Sequence, residues 1–122
     1  MKIAEVSQKF NLTTDTLRYY EKVGLIEPVK RSKSGVRDYT EKDLDRIVFV
    51  KCMRQAGLSI ESIQTYIELY KLGDSTLKNR LDILLNERDK IEATILNLQG
   101  TLDYLNHKID RYTENIKKVN QK

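Results

Sequence analysis

Residues 12–26 read LTTDTLRYYEKVGLI and contain the start and stop signals of one short helix. Thr13 supplies a hydroxyl oxygen suited to a helix N-cap, and Asp15 places a carboxylate at the positive end of the helix that follows. The pattern predicts this helix over residues 14–22, and Gly24 marks its exit.

A second short helix is predicted immediately before this one. Ile3, Val6 and Phe10 recur at spacings of three and four residues, which is typical of an amphipathic helix. Asn11 can end that helix, because asparagine tolerates the left-handed backbone conformation of a helix terminus. Two short helices separated by three or four residues describe a helix-turn-helix.

Downstream, the pattern changes to two short extended runs, PVKR at 28–31 and VRDY at 36–39. The four turn-prone residues SKSG lie between them, which predicts a β-hairpin. One carboxylate, that of Asp38, opposes four cations in this segment: Lys30, Arg31, Lys33 and Arg37. Taken alone, such a charge group is typical of a solvated loop. Beside a helix-turn-helix it predicts a wing that lies along a polyanion.

Two further helices are predicted after the hairpin. TEKD at 40–43 matches a capping box and starts a third helix that ends near Gly57. This helix carries apolar residues on most sides, so it is expected to be central to the core. Ser59 can cap a fourth helix that runs to about Lys71 and is broken by GDS at 73–75.

From Thr76 onward, apolar residues alternate at steps of four and three for about six heptads, which predicts a coiled coil. The sequence predicts no second long helix, so the economical partner is another copy of the chain. Arg88 interrupts the seam as a register device, a stem beside the seam, or a contact elsewhere in a dimer. The seam is formed by Leu77, Leu81, Leu84, Arg88, Ile91, Ile95, Leu98, Leu102, Leu105, Ile109, Tyr112, Ile116 and Val119.

The charge of the 122-residue chain is unevenly distributed. Residues 1–57 hold 12 Lys and Arg against 8 Asp and Glu, and residues 58–122 hold 10 of each, so the whole excess of +4 lies in the first half. A polyanion is therefore expected there. The single cysteine, Cys52, excludes an intrachain disulfide framework and a four-thiolate zinc site. No signal peptide or membrane span is evident, so a cytoplasmic protein without metal or cofactor is expected.

The helix over residues 14–22 has the side chains that a reader of the major groove needs. Thr14, Thr16 and Arg18 are polar, and arginine can pair bidentately with guanine or neutralise a phosphate. Tyr19 and Tyr20 carry hydroxyls on rigid rings that can reach phosphate oxygens. Each tyrosine taken singly is also a candidate core residue, and at least one ring is expected to pack inward.

Residues 12–26, followed by RSKSGVRDYT at 31–40, resemble the signature of the MerR family of bacterial transcription regulators. The resemblance covers essentially the whole chain. It implies that the protein contacts DNA through Arg18 and Tyr19 of the recognition helix, with further contacts from the wing. The complete set of candidate DNA-binding residues is Thr14, Thr16, Arg18, Tyr19, Tyr20, Arg31, Lys33, Arg37 and Tyr39.

The predicted fold is mainly α: a winged helix-turn-helix head with a small β-hairpin wing, a helical linker pair, and a long coiled-coil dimerisation helix. The head is expected over residues 1–75 and the coiled coil over 76–122. The resemblance implies an antiparallel homodimer that binds a palindromic promoter operator. Such a dimer bends and untwists the DNA so that RNA polymerase can engage it, which predicts an activator.

Cys52 lies in KCMRQAGLSIE, at 51–61, which is similar to the family branch that responds to aldehydes and other electrophiles through one cysteine. This resemblance implies that Cys52 senses the effector. The residues themselves also allow a buried, inert thiol, because Val48 and Ala56, one turn away on either side, are apolar. The metal-sensing and drug-binding branches fit less well, since the sequence carries no cysteines after the long helix and no domain beyond it.

Two other classes of protein compete with the regulator. A coiled-coil scaffold or architectural DNA-binding protein without an effector explains residues 76–119 but leaves the recognition helix and wing unexplained. A thiol enzyme using Cys52 would need a general base, and the sole histidine, His107, falls on the outer face of the coiled coil, so no catalytic residue is predicted.

Overall fold

The structure, a computed structural model, describes residues 1–121. It confirms each of the predicted helices and adds a 3₁₀ turn at Asp74–Thr76. The helices are α1 (Ile3–Phe10), α2 (Thr14–Lys22), α3 (Glu41–Gln55), α4 (Ile60–Lys71) and α5 (Leu77–Asn120).

The helix boundaries are set by local capping residues, which the sequence pattern predicts. Asn11 ends α1 in the left-handed conformation, with φ 54°. Thr13 caps α2, because its hydroxyl oxygen accepts the backbone N–H of Thr16 at 3.1 Å. Thr40 and Asp43 form the reciprocal capping box at the start of α3. Each cap satisfies backbone donors that the first turn of a helix leaves unpaired.

The hydrophobic core is formed by helices α1, α2, α3 and α4 and by the irregular segments that connect them. Leu17 and Tyr20 of α2 point into it, so the opposite side of α2 is left on the surface. Burial of this apolar set, at roughly 25 cal/mol per Å² of apolar surface, is the main favourable contribution to folding of the head. The set comprises Val6, Leu17, Tyr20, Leu25, Ile26, Val29, Tyr39, Ile47, Val50, Leu58, Ile63 and Ile67.

The wing contains less regular structure than predicted. Residues 1–121 include no β-strand, and the expected hairpin is reduced to one antiparallel bridge between Arg31 and Arg37. Ser32 donates its backbone N–H to Val36 at 2.7 Å, and Asp38 donates to Lys30 at 2.8 Å. The two extended segments are only four residues long, and no third strand adds backbone hydrogen bonds to them. Pro28 also has no N–H to donate. The segment therefore remains a hairpin-like loop rather than a sheet.

Helix α3 is less central to the core than its composition suggested. Ile47 and Val50 are fully buried, whereas Val48 is 45% exposed and Cys52 is also exposed. The sequence could not distinguish the two sides of this helix, because both carry apolar residues. The interpretation of Cys52 as a buried thiol is therefore wrong for this chain.

Helix α5 contains no buried residue, and most of its predicted seam is exposed in the single chain. The chain forms two compact units, Met1–Ile83 and a second beginning at Leu84, so the first turns of α5 belong to the head unit. A search of residues 1–121 for a helix long and apolar enough to span a membrane finds none.

Candidate nucleic-acid interface

Helix α2 presents a polar surface on the side opposite to its buried residues. Arg18 and Tyr19 are exposed, and Thr14 and Thr16 are half-buried. The Arg18 guanidinium donates to Asp15 at 3.1 Å and to the Thr14 hydroxyl at 3.4 Å. These contacts lie on the helix surface, where an ion pair contributes little to stability. Arg18 can therefore leave Asp15 for a stronger acceptor at small cost.

The two adjacent tyrosines have opposite environments. Tyr19 is 46% exposed, and Tyr20 is 6% exposed within the core. Burial raises the pKa of Tyr20, and the nearby Arg54 guanidinium lowers it in part. Tyr20 is the ring that packs inward, and Tyr19 is the one whose hydroxyl is available at the surface.

Among the candidate DNA-binding residues, two cations of the wing can face a ligand. Arg31 and Lys33 are both exposed. Arg31 donates to the carbonyl oxygen of Gly35 at 2.9 Å, across the tip of the loop. Gly35 has φ +83°, a conformation that glycine adopts without strain, and this permits the tight turn. Hydrogen bonds within the loop therefore stabilise the backbone that carries these positive charges.

Arg37 is placed differently from the other wing cations. Its Nε donates to the Glu21 carboxylate at 2.9 Å, and the two side chains are only 21% and 17% exposed. This ion pair joins the wing to the last turn of α2. Glu21 was not among the predicted site residues, although a carboxylate near a helix C-terminus faces an unfavourable dipole and so indicates a cationic partner.

Tyr39 anchors the end of the wing in the core. It is 3% exposed, and its hydroxyl has no hydrogen-bond partner in the described residues. Burial raises its pKa first, while the Arg37 charge lowers it and the Glu21 charge raises it. The backbone N–H of Tyr39 also donates to the Met1 carbonyl oxygen at 2.7 Å. Tyr39 therefore holds the wing against the amino-terminal segment.

Two more cations lie beside the turn between α1 and α2, and the sequence analysis did not include them. Lys51 of α3 donates from Nζ to the carbonyl oxygen of Phe10, at the end of α1. Arg54 donates to the carbonyl oxygen of Leu58 at 2.8 Å. Both side chains line one cleft with Tyr20. They place two further positive charges beside the turn between α1 and α2.

Cys52 lies between Lys51 and Arg54 in the sequence of α3. No cluster of three or more histidine, cysteine or carboxylate side chains suited to a metal ion occurs within residues 1–121. Its exposed thiol follows Val48 by one turn on α3. The arrangement leaves the sulfur accessible to a small molecule in solution.

The chain matches two family models. The model described as "MerR HTH family regulatory protein" matches residues 1–69, and the model "MerR, DNA binding" matches residues 44–108. The "HTH-type transcriptional regulator AdhR" of Bacillus subtilis (strain 168) is 55% identical over 91 residues, which are 75% of this chain. That alignment spans 65% of AdhR, just under two thirds of its length.

Two solved structures are similar in fold to this chain. A MerR family transcriptional regulator from Listeria monocytogenes has a TM-score of 0.83 and 40% identity, covering 98% of this chain and 96% of that one. HiNmlR, described as a MerR family regulator lacking the sensor domain and bound to promoter DNA, has a TM-score of 0.80 and 31% identity. The match covers 84% of this chain and 78% of HiNmlR.

Proposed function

Since the chain belongs to the MerR family of DNA-binding transcription regulators, we propose that it binds a palindromic promoter operator as a homodimer and activates transcription. The observation that carries this proposal is that Arg18 and Tyr19 of α2 are exposed, as are the cations Arg31 and Lys33 of the wing. On the opposite side of α2, Leu17 and Tyr20 pack in the core and so fix the position of the helix. The relatives are named as transcription regulators, and an enzymatic activity is not indicated.

The head contacts DNA through two kinds of group. Arg18 leaves its surface pair with Asp15 and reads a base edge in the major groove, supported by Thr14 and Thr16 at the start of α2. Tyr19, Arg31 and Lys33 contact phosphates, which fixes the position of the head on the duplex. The excess positive charge of residues 1–57 supports this division, because phosphate contacts supply most of the sequence-independent affinity.

The other three candidates hold this surface in place. Arg37 is paired with Glu21, so its charge is already offset and its main contribution is to fix the wing to α2. Tyr39 and Tyr20 are buried and orient the wing and the recognition helix from the core side. A phosphate can still meet the outer edge of the Arg37 guanidinium, since about a fifth of that side chain is exposed.

The dimer forms through α5, as an antiparallel coiled coil over residues 76–122 that joins two heads over residues 1–75. Exposed apolar side chains along α5 support this pairing, because a single helix of 44 residues with one apolar stripe must bury that stripe against a partner. A twofold dimer matches the symmetry of a palindromic operator.

Activation would come from deformation of the promoter. Bending and untwisting a short duplex costs several kcal/mol, and a dimer with two fixed heads can supply that free energy through its contacts with both half-sites. RNA polymerase then meets promoter elements that are correctly placed. HiNmlR, a relative of known structure, is described as bound to promoter DNA.

We further propose that an electrophile modifies Cys52 to switch the regulator. The thiol is exposed on α3, the helix that follows the wing, so a modification there can reach the DNA-binding surface through packed neighbours. With an aldehyde, the sulfur adds to the carbonyl carbon and the thiol proton passes to the carbonyl oxygen, which gives a hemithioacetal without any redox step.

In vitro transcription from the promoter beside the gene of this protein tests activation and sensing together. An aldehyde is expected to raise transcript yield with the wild type and to leave Cys52→Ser unchanged, because serine keeps the size of the side chain but lacks the nucleophilic sulfur. Equal responses of the two proteins would remove Cys52 from the switch. Failure of both to change transcription, with or without aldehyde, would contradict the activator proposal.

A further inference from the structure

Three helices of the head meet at one aromatic ring. Tyr70, near the end of α4, lies between two guanidinium groups: that of Arg46 of α3 is 5.0 Å from the ring centre, and that of Arg80 of α5 is 5.2 Å away. Both distances are within the range of a cation–π interaction. We call Arg46, Tyr70 and Arg80 the tyrosine clamp. All three residues belong to the compact unit Met1–Ile83.

Arg80 is held in the clamp by hydrogen bonds as well. Its Nε donates to the Thr76 hydroxyl at 3.0 Å, and a terminal nitrogen donates to the Gly73 carbonyl oxygen at 3.2 Å. The Thr76 hydroxyl lies 2.6 Å from the carbonyl oxygen of Leu69 and is 2.8 Å from that of Gly73. The guanidinium therefore links the end of α4, the 3₁₀ turn and the first turns of α5.

These contacts lie at the turn that joins α4 to α5. Without them, this turn would be flexible. Gly73 has φ +89°, so its own conformation gives the turn little stiffness. Thr76 is 7% exposed, and its hydroxyl lies within hydrogen-bond distance of the carbonyl oxygens of Leu69 and Gly73, so it ties the end of α4 to the turn that follows. Tyr70 is 49% exposed, so its ring contributes little to the core, but both arginine guanidinium groups lie over it.

We propose that the tyrosine clamp sets the separation of operator half-sites that the dimer accepts, with Arg80 as its principal positioning residue. The proposal rests on the homodimer and palindromic operator proposed above. One added base pair moves a half-site by about 3.4 Å along the duplex and about 35° around it. If the turn between α4 and α5 is rigid, the two heads of the dimer cannot follow that displacement. If the turn is flexible, they can.

The test compares full-length wild type with Arg80→Lys on duplexes whose half-site spacing is changed by one or two base pairs in either direction. Lysine keeps the charge but loses the planar fork that spans the ring, Thr76 and Gly73. We expect affinity at the natural spacing to fall about tenfold, because the turn must then be ordered on binding. The dependence on spacing should flatten, while affinity for a single half-site changes less than about twofold.

Two controls separate positioning from general damage. Arg111→Lys makes the same change of residue on α5, at an exposed position beyond the head unit and outside the seam, and should keep the wild-type spacing profile. Tyr70→Phe keeps the ring and should do the same, whereas Tyr70→Leu should flatten the profile as Arg80→Lys does. Tyr70→Leu also provides the measurement if Arg80→Lys fails to fold.

The outcomes distinguish this proposal from the one on which it rests. Steep, wild-type spacing dependence in folded Arg80→Lys or Tyr70→Leu overturns the role of the clamp. If the wild type itself binds a palindrome no better than a single half-site, the proposal of a dimer on a palindromic operator fails. A flattened profile in both clamp variants, with steep profiles in both controls, supports the clamp.

Discussion

Replacing Arg18 with alanine is expected to weaken specific operator binding by about 30-fold to about 10⁴-fold, because a bidentate contact to a base is worth about 1–3 kcal/mol and the dimer makes two. Arg18 is exposed on α2 and is held by surface contacts with Asp15 and Thr14 alone. Its loss should therefore leave the fold and the dimer unchanged. A mobility-shift titration on the palindromic duplex measures the effect.

The matched control removes one positive charge elsewhere. Arg111 is exposed on α5, so Arg111→Ala lowers the net charge equally without touching the recognition helix. It should reduce affinity slightly and alike for operator and unrelated DNA. If Arg18→Ala behaved as Arg111→Ala does, the assignment of α2 as the recognition helix would be wrong.

Placing aspartate at both Leu98 and Leu102 should convert the protein to a monomer at micromolar concentration. These leucines are 62% and 50% exposed in the single chain, and each would be buried by pairing of α5. At about 1.5 kcal/mol or more for each of four leucines in a dimer, the association constant should fall by at least about 10⁴-fold. Helix content should also decrease, since a lone helix of this composition is marginal in water.

Sedimentation equilibrium and circular dichroism measure both effects. Asn86→Asp with Asn106→Asp provides the control, because it adds the same charge to exposed positions beside the seam rather than within it. The control should remain dimeric. A double aspartate variant at 98 and 102 that stays dimeric would show that α5 pairs through another surface or does not pair.

Elements determined by neighbouring residues could be predicted from the sequence. The caps at Thr13 and Thr40 bond to residues three positions away, so their signals lie within one turn of the chain. Asn11 ends α1 through its own backbone conformation. The long helix α5 could also be predicted, because its heptad repeat is a local pattern, whereas the pairing of its seam remains a prediction.

Features that depend on distant partners could not be predicted. The pair between Arg37 and Glu21 joins residues 16 positions apart, and its existence depends on where the wing folds back. The exposure of Cys52 and Val48 depends on which side of α3 meets the core, and both sides looked apolar. The tyrosine clamp likewise needs three helices to be in place before Arg46 and Arg80 reach one ring.

The most direct test of the central claim is the affinity of the wild-type dimer for the palindrome in the promoter beside its own gene, measured against a scrambled duplex of equal length over a range of salt concentrations. A sequence-specific regulator should prefer the palindrome by about 10³-fold or more at physiological salt, with one dimer bound for each site. Equal affinity for the two duplexes, falling with the same steep dependence on salt, would contradict the claim and indicate an architectural DNA-binding protein instead.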